Sequence, residues 1–221
     1  MSNEATTTKS KNLTTPFGTA VFPRLNTPDT KFKPEGEYSV KIQMKREDAE
    51  PLRAQIDALL EEHYKVTAVK EKKPVAKLKK ADTYPIVDVI DDAGNETGDV
   101  TIKASMKAEY KSRKDDTTVT QRPMLFQADL TPLPKGKIIS GGSILRANVR
   151  PYLWYTAALG AGVSLQLVSV QVKTLVEYNG TGGTCGFDKV EGDVVEATDE
   201  VAEGETESAA AGAGVTSGAD Y

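Results

Sequence analysis

Only one stretch of this chain carries a helical repeat, and alternating segments surround it. Over residues 48–64, Leu52, Ile56, Leu59 and Leu60 fall on one helical stripe. Asp48 is placed to cap the start, and Pro51 is tolerable in a first turn. His63 continues the apolar side and reads as a packed or half-exposed helix histidine. Without β-α alternation, a doubly wound sheet is disfavoured against a small barrel. The pattern fits a mainly β domain, a partly open five-stranded barrel with one main α-helix.

The strands follow from period-two alternation. Phe17, Thr19 and Val21 share a face, and Pro23 is expected to end that run. Residues 24–36 contain Pro28, Pro34 and Gly36 and read as a loop carrying Lys31 and Lys33. In residues 37–44, Tyr38, Val40, Ile42 and Met44 alternate with polar residues, a half-buried strand. Further candidates are residues 85–90, 100–106, 119–129, 143–155 and 163–178. In the last, apolar side chains occupy both parities around Val168, as in a central strand. The lysine-rich residues 65–80 are read two ways, as a solvated insertion or as a basic arm near a phosphate track.

Charge divides the chain unevenly. Residues 191–221 hold nine carboxylates and no Lys or Arg, and the remainder holds all 28 basic residues against 23 acidic ones. A basic body with an acidic end points to a polyanion as ligand, with the end competing for that surface or read by a partner; a solubilising role is the plainer option. Four segments result: a disordered N-terminus (1–13), a folded domain (14–178), a Gly-rich linker (179–190) and a disordered acidic C-terminal tail (191–221).

Enzyme signatures are missing. No phosphate loop, no His-Glu-x-x-His and no Gly-x-Ser-x-Gly occurs. His63 and Cys185 are the only residues of their types, too few for a His/Cys zinc site; a carboxylate-only site stays open but has no supporting spacing, and no metal or cofactor is expected. The single cysteine suits a reducing compartment. No apolar run is long enough to span a membrane, and the polar start is not a secretory signal.

The most informative segment is residues 141–154. Arg146, Arg150, Tyr152 and Trp154 stand at even spacing, so a regular strand puts all four on one face, although Pro151 could bend it. Aromatic residues are commonly core, but alternation with arginine argues against a dry core here. Aromatic faces between guanidinium groups supply what single-stranded nucleic acid needs, surfaces for unstacked bases and cations for the backbone.

The chain resembles the single-stranded DNA-binding proteins of T7-like bacteriophages. The resemblance rests on Phe-Gly-Thr-Ala at 17–20, Pro-Glu-Gly-Glu-Tyr-Ser-Val at 34–40 and Gly-Gly-Ser-Ile-Leu-Arg at 141–146. Its most specific parts are Pro-Tyr-Leu-Trp at 151–154 and Gly-Ala-Gly-Val-Ser-Leu-Gln-Leu-Val-Ser-Val at 160–170. It implies an OB-fold, a homodimer, and an acidic tail that ends on an aromatic residue. It also implies coating and annealing of single strands in replication, recombination and repair, contacts with the phage DNA polymerase and helicase-primase, and the cytoplasm of an infected bacterial host. By position, Tyr152 and Trp154 would stack on bases and Arg146 would hold backbone, with Arg150 beside them. Lys103, Lys107, Lys111, Arg113 and Lys114 match the basic strand-and-loop region. Glu35 departs from the basic residue that would suit DNA contact, with Lys33 as its substitute. In the tail, Glu203, Glu205, Glu207, Asp220 and Tyr221 would carry partner binding and autoinhibition. A structural phage protein and a metal-dependent nuclease using turn carboxylates are the alternatives.

Overall fold

The computed structural model describes residues 11–112 and 115–177, all within one compact unit, Met1–Gly182. Arg113, Lys114, the linker and the tail with Glu203, Glu205, Glu207, Asp220 and Tyr221 lie outside the described residues.

Among the described residues, ten strands and one long helix follow in the order β1 (Leu13–Thr14), β2 (Gly18–Asp29), β3 (Glu37–Lys45), α1 (Arg46–Lys70), β4 (Ile86–Ile90), β5 (Glu96–Lys107), β6 (Glu109–Lys111), β7 (Thr118–Thr120), β8 (Met124–Phe126), β9 (Ile144–Thr156) and β10 (Gly160–Thr174), with a 3-10 turn at Val75–Lys77. Five of these strands close on themselves: β9 pairs β2, β2 pairs β3, β3 pairs β5, β5 pairs β10, and β10 returns to β9. This is the expected OB-type barrel. It is partly open: β10 meets β5 in parallel at a single pair, Gln166↔Ser105. β6 and β7 form a separate hairpin.

The core fills the barrel from alternating positions. Val40 and Ile42 of β3, Val100 and Ile102 of β5, and Leu145, Ala147 and Val149 of β9 are almost wholly buried. Each large aliphatic residue contributes about 1.5–3 kcal/mol by leaving water. α1 covers one side through Ala49, Leu52, Ile56, Leu60, His63 and Thr67.

Five expectations need correction. The helix starts at Arg46 after Lys45 and ends at Lys70, so Asp48 sits inside the first turn rather than capping it, and Pro51 falls just beyond that turn. It continues past Tyr64 because Thr67 and Ala68 are buried, so the first part of the lysine-rich segment is helix. β2 runs through Pro23 to Asp29, well into the expected loop: the register jumps between Val21↔Lys41 and Arg24↔Ser39, a bulge in which proline disturbs no ladder bond. Residues 119–129 form two short strands, β7 and β8, rather than one.

The fifth correction concerns β10, where apolar residues on both parities suggested burial on both faces. A bulge lies between Leu167 and Ser169. The extra residue flips the parity, so Val163, Leu165 and Leu167 point inward before it and Val170 and Val172 after it. The outer face therefore stays polar along the whole strand, with Ser164 and Gln166 on one side of the bulge and Gln171 and Lys173 on the other. Among the described residues, no helix is long and apolar enough to cross a membrane.

Candidate nucleic-acid interface

β9 behaves as its spacing implies. Pro151 is buried and pairs in register with Leu165, so it does not turn the strand. Arg146, Arg150, Tyr152 and Trp154 lie on the outer face opposite Gln171, Gln166, Ser164 and Gly162. That line is roughly 26 Å long at 3.3 Å per residue. It holds three different environments.

At its centre, β9 borders a groove of about 720 Å³. The groove follows the open seam of the barrel: Ser105 and Lys107 come from β5, Ser164 and Gln166 from β10, and Arg150 and Tyr152 from β9. Tyr110 and Gln121 close it from the β6–β7 hairpin, and Glu37 enters from β3. Tyr110 and Tyr152 are 44 % and 36 % exposed, so two aromatic rings remain accessible beside two cations. The Arg150 Nε–H donates to Asn12 Oδ1 at 3.4 Å. The Lys107 ammonium donates to Glu35 Oε1 at 3.3 Å, and Lys33 donates to Glu37 at 2.7 Å. A hydrogen bond at its own backbone and the Lys107 ammonium hold the Glu35 carboxyl below its ordinary range. Lys33 is therefore joined to a groove-lining acid, Glu37.

At one end, Arg146 lies over the Phe17 ring, 4.7 Å from its centroid, with the Lys173 ammonium 5.6 Å away. The Arg146 Nε–H also donates to Gln171 Oε1 at 2.8 Å, which fixes the guanidinium along the strand. At the other end, Trp154 is half-buried. A Cβ built on Gly162 would come within 2.6 Å of the Trp154 ring and 2.8 Å of the Ala81 methyl. The indole therefore occupies the space that a side chain at Gly162 would need. His63 Nε2 lies 3.0 Å from the Trp154 carbonyl oxygen, within hydrogen-bond distance, and the Tyr155 hydroxyl donates to Glu71 at 3.0 Å. α1 thus anchors this end of the face.

The lysine-rich segment is docked here rather than loose. Lys80 bridges Ala161, the Ala81 N–H donates to the Ala161 carbonyl, and the Ala161 N–H donates to the Lys79 carbonyl. Gly160 permits this approach: a Cβ there would meet the Lys79 carbonyl oxygen at 2.5 Å.

Of the β5 and hairpin cations, Lys107 enters the groove, whereas Lys103 and Lys111 stand outside its lining. Lys103 faces outward directly opposite Lys41 of β3. Like charges across a ladder destabilise a sheet, so this pair marks a surface suited to an anion. Lys111 lies 4.0 Å from Asp116. Sequence reasoning did not select Lys41, Tyr110, Gln121, Phe17 or Lys173 as site residues. Tyr110 was visible within the basic segment, but Lys173 depended on the parity flip in β10. Among the described residues, no group of three or more His, Cys, Asp or Glu side chains could hold a metal ion.

Comparison with known proteins gives the family and the fold. The family model described as single-stranded DNA-binding protein, bacteriophage T7, matches residues 16–175. The single-stranded DNA-binding protein of Enterobacteria phage T3 is 28 % identical over 165 residues, covering 72 % of this chain and 70 % of that protein. Among solved structures, the single-stranded DNA binding protein encoded by bacteriophage T7 superposes with a TM-score of 0.62 at 24 % identity, over 85 % of this chain and all of that one. The single-stranded DNA-binding protein from bacteriophage Enc34 in complex with ssDNA gives a TM-score of 0.52 at 18 % identity, over 75 % of this chain and 88 % of that one.

Proposed function

Because the chain belongs to the family of the bacteriophage T7 single-stranded DNA-binding protein, we propose that it binds single-stranded DNA without sequence preference along the outer face of β9 and the groove beside it. It is a binding protein of phage type, not an enzyme. The observation that carries the site is the groove itself, where Tyr110 and Tyr152 are accessible between Lys107 and Arg150. Cations draw in the backbone and release counterions, and accessible rings take unstacked bases at roughly 1–3 kcal/mol each, whatever the base.

The protein acts in phage DNA replication, recombination and repair, in the cytoplasm of the infected host. It works as a homodimer and promotes annealing of complementary strands. The acidic tail, with Glu203, Glu205, Glu207, Asp220 and Tyr221, competes with DNA for the basic face and, once displaced, contacts the phage polymerase and helicase-primase. What supports this part is the family resemblance together with nine carboxylates in a segment free of Lys and Arg.

A gel-shift series with single-stranded and duplex oligonucleotides at rising salt tests the reading. Single strands are expected to bind far more tightly, with affinity falling steeply as salt rises. Equal binding of duplex would contradict it. Deletion of residues 191–221 is expected to tighten binding most at low salt, and unchanged low-salt affinity would remove the competing role of the tail.

A further inference from the structure

The β2–β3 loop, residues 30–36, carries an aromatic residue that the groove does not account for. Phe32 is 83 % exposed, and the Lys31 ammonium lies 5.4 Å from its ring centroid. An aromatic side chain this open has no packing role, and it stands between Lys31 and Lys33. The loop is nevertheless joined to the groove at three points. Glu35 accepts from Lys107, Lys33 donates to the groove-lining Glu37, and the Ala108 N–H donates to the Gly36 carbonyl at 2.9 Å. Gly36 makes that approach possible, with φ of +72° and a Cβ position 3.2 Å from Ala108. Phe32 is three residues from Glu35, so at most about 10 Å of backbone separates it from the residue that touches Lys107.

We propose that this loop is a further wall of the single-strand site, in which Phe32 stacks on a base whose phosphate takes Lys107 from Glu35. The inference rests on the single-stranded DNA-binding reading. In the free protein Glu35 occupies the position on Lys107 that a phosphate oxygen takes in the complex. The pair is exposed to solvent on both sides, 57 % for Lys107 and 38 % for Glu35, so it exchanges readily. Its release lets the loop settle over the bound strand. The occupant is single-stranded nucleic acid because the surroundings match both parts of a nucleotide: cations at Lys31, Lys33 and Lys107 for phosphate, and a bare ring for a base.

The test uses the full chain and a labelled oligothymidylate on the order of 16 nucleotides, within the span of one OB fold. Phe32→Ala is expected to weaken binding about five- to one-hundred-fold with an unchanged salt slope, because stacking displaces no counterions. Phe32→Trp should keep wild-type affinity. Glu35→Gln should tighten binding severalfold at low salt, by removing the carboxylate that competes for Lys107. An oligonucleotide carrying 5-iododeoxyuridine should cross-link to Phe32. Phe32→Ala binding as tightly as wild type, or cross-links confined to Tyr110 and Tyr152, would overturn the inference and leave the single-strand reading intact. Unchanged affinity in Glu35→Gln would overturn the exchange at Lys107. A wild-type chain that fails to bind the oligonucleotide would instead remove the reading on which the inference rests. Folding does not confuse these outcomes, since a side chain this exposed contributes little to stability and the melting temperature should not move.

Discussion

Tyr152 and Trp154 stand two residues apart on the same face of β9, and their surroundings have little in common. Tyr152 opens onto the groove beside Arg150 and Lys107, with polar Ser164 across from it. Trp154 lies on the backbone of Gly162, next to Ala81, and its carbonyl is within hydrogen-bond distance of His63 on α1. One ring is open to solvent in the groove. The other is part of the joint between α1, the segment around Ala81, and β10. Spacing along a strand decides which face a side chain shares, but packing from distant elements decides whether that side chain is available.

The comparison can be broken from the packed side first. Trp154→Ala should show the largest effect, a loss of about 2–3 kcal/mol of stability for a half-buried indole, read as a drop in melting temperature together with weaker DNA binding. A variant that melts like wild type would mean that the ring is as free as Tyr152. Gly162→Ala places a methyl against the same ring, and about 2 kcal/mol should be lost unless the indole swings away. Because Trp154 is the chain's only tryptophan, its emission spectrum reports that displacement directly. An unaltered spectrum would contradict the close packing.

His63→Ala removes the partner of the Trp154 carbonyl and should cost about 1 kcal/mol, measured by denaturant unfolding, with DNA affinity nearly unchanged. A large loss of affinity at wild-type stability would give His63 a direct role instead. Arg146→Gln is the mildest change. It should lower the salt slope of single-strand binding by roughly 0.7, the contribution of one phosphate contact. An unchanged slope would mean that the guanidinium is committed to Phe17 and Gln171.

Much of this was legible in the sequence. The even positions of β9 declared its outer face, the alternation of Tyr38, Val40, Ile42 and Met44 declared β3, and one helical stripe among short strands declared a barrel. Three features were hidden. The bulges near Pro23 and Val168 reverse the side on which residues emerge, and an extra residue in a strand leaves no composition signal of its own. The helix extends to Lys70 because Thr67 and Ala68 find cover against the barrel, while the surrounding lysines suggested an insertion. The groove brings Tyr110, Glu37 and Tyr152 together across three separate elements, and no local spacing encodes that approach.

Titration of wild-type protein and Tyr152→Ala with a single-stranded oligonucleotide, with melting temperatures measured on the same samples, tests the central claim most directly. The expected result is an affinity loss of about 1–3 kcal/mol at a nearly unchanged melting temperature, since the removed ring is exposed at the groove. Full affinity in Tyr152→Ala, or a loss that appears only together with unfolding, would contradict the assignment of the groove as the single-strand site.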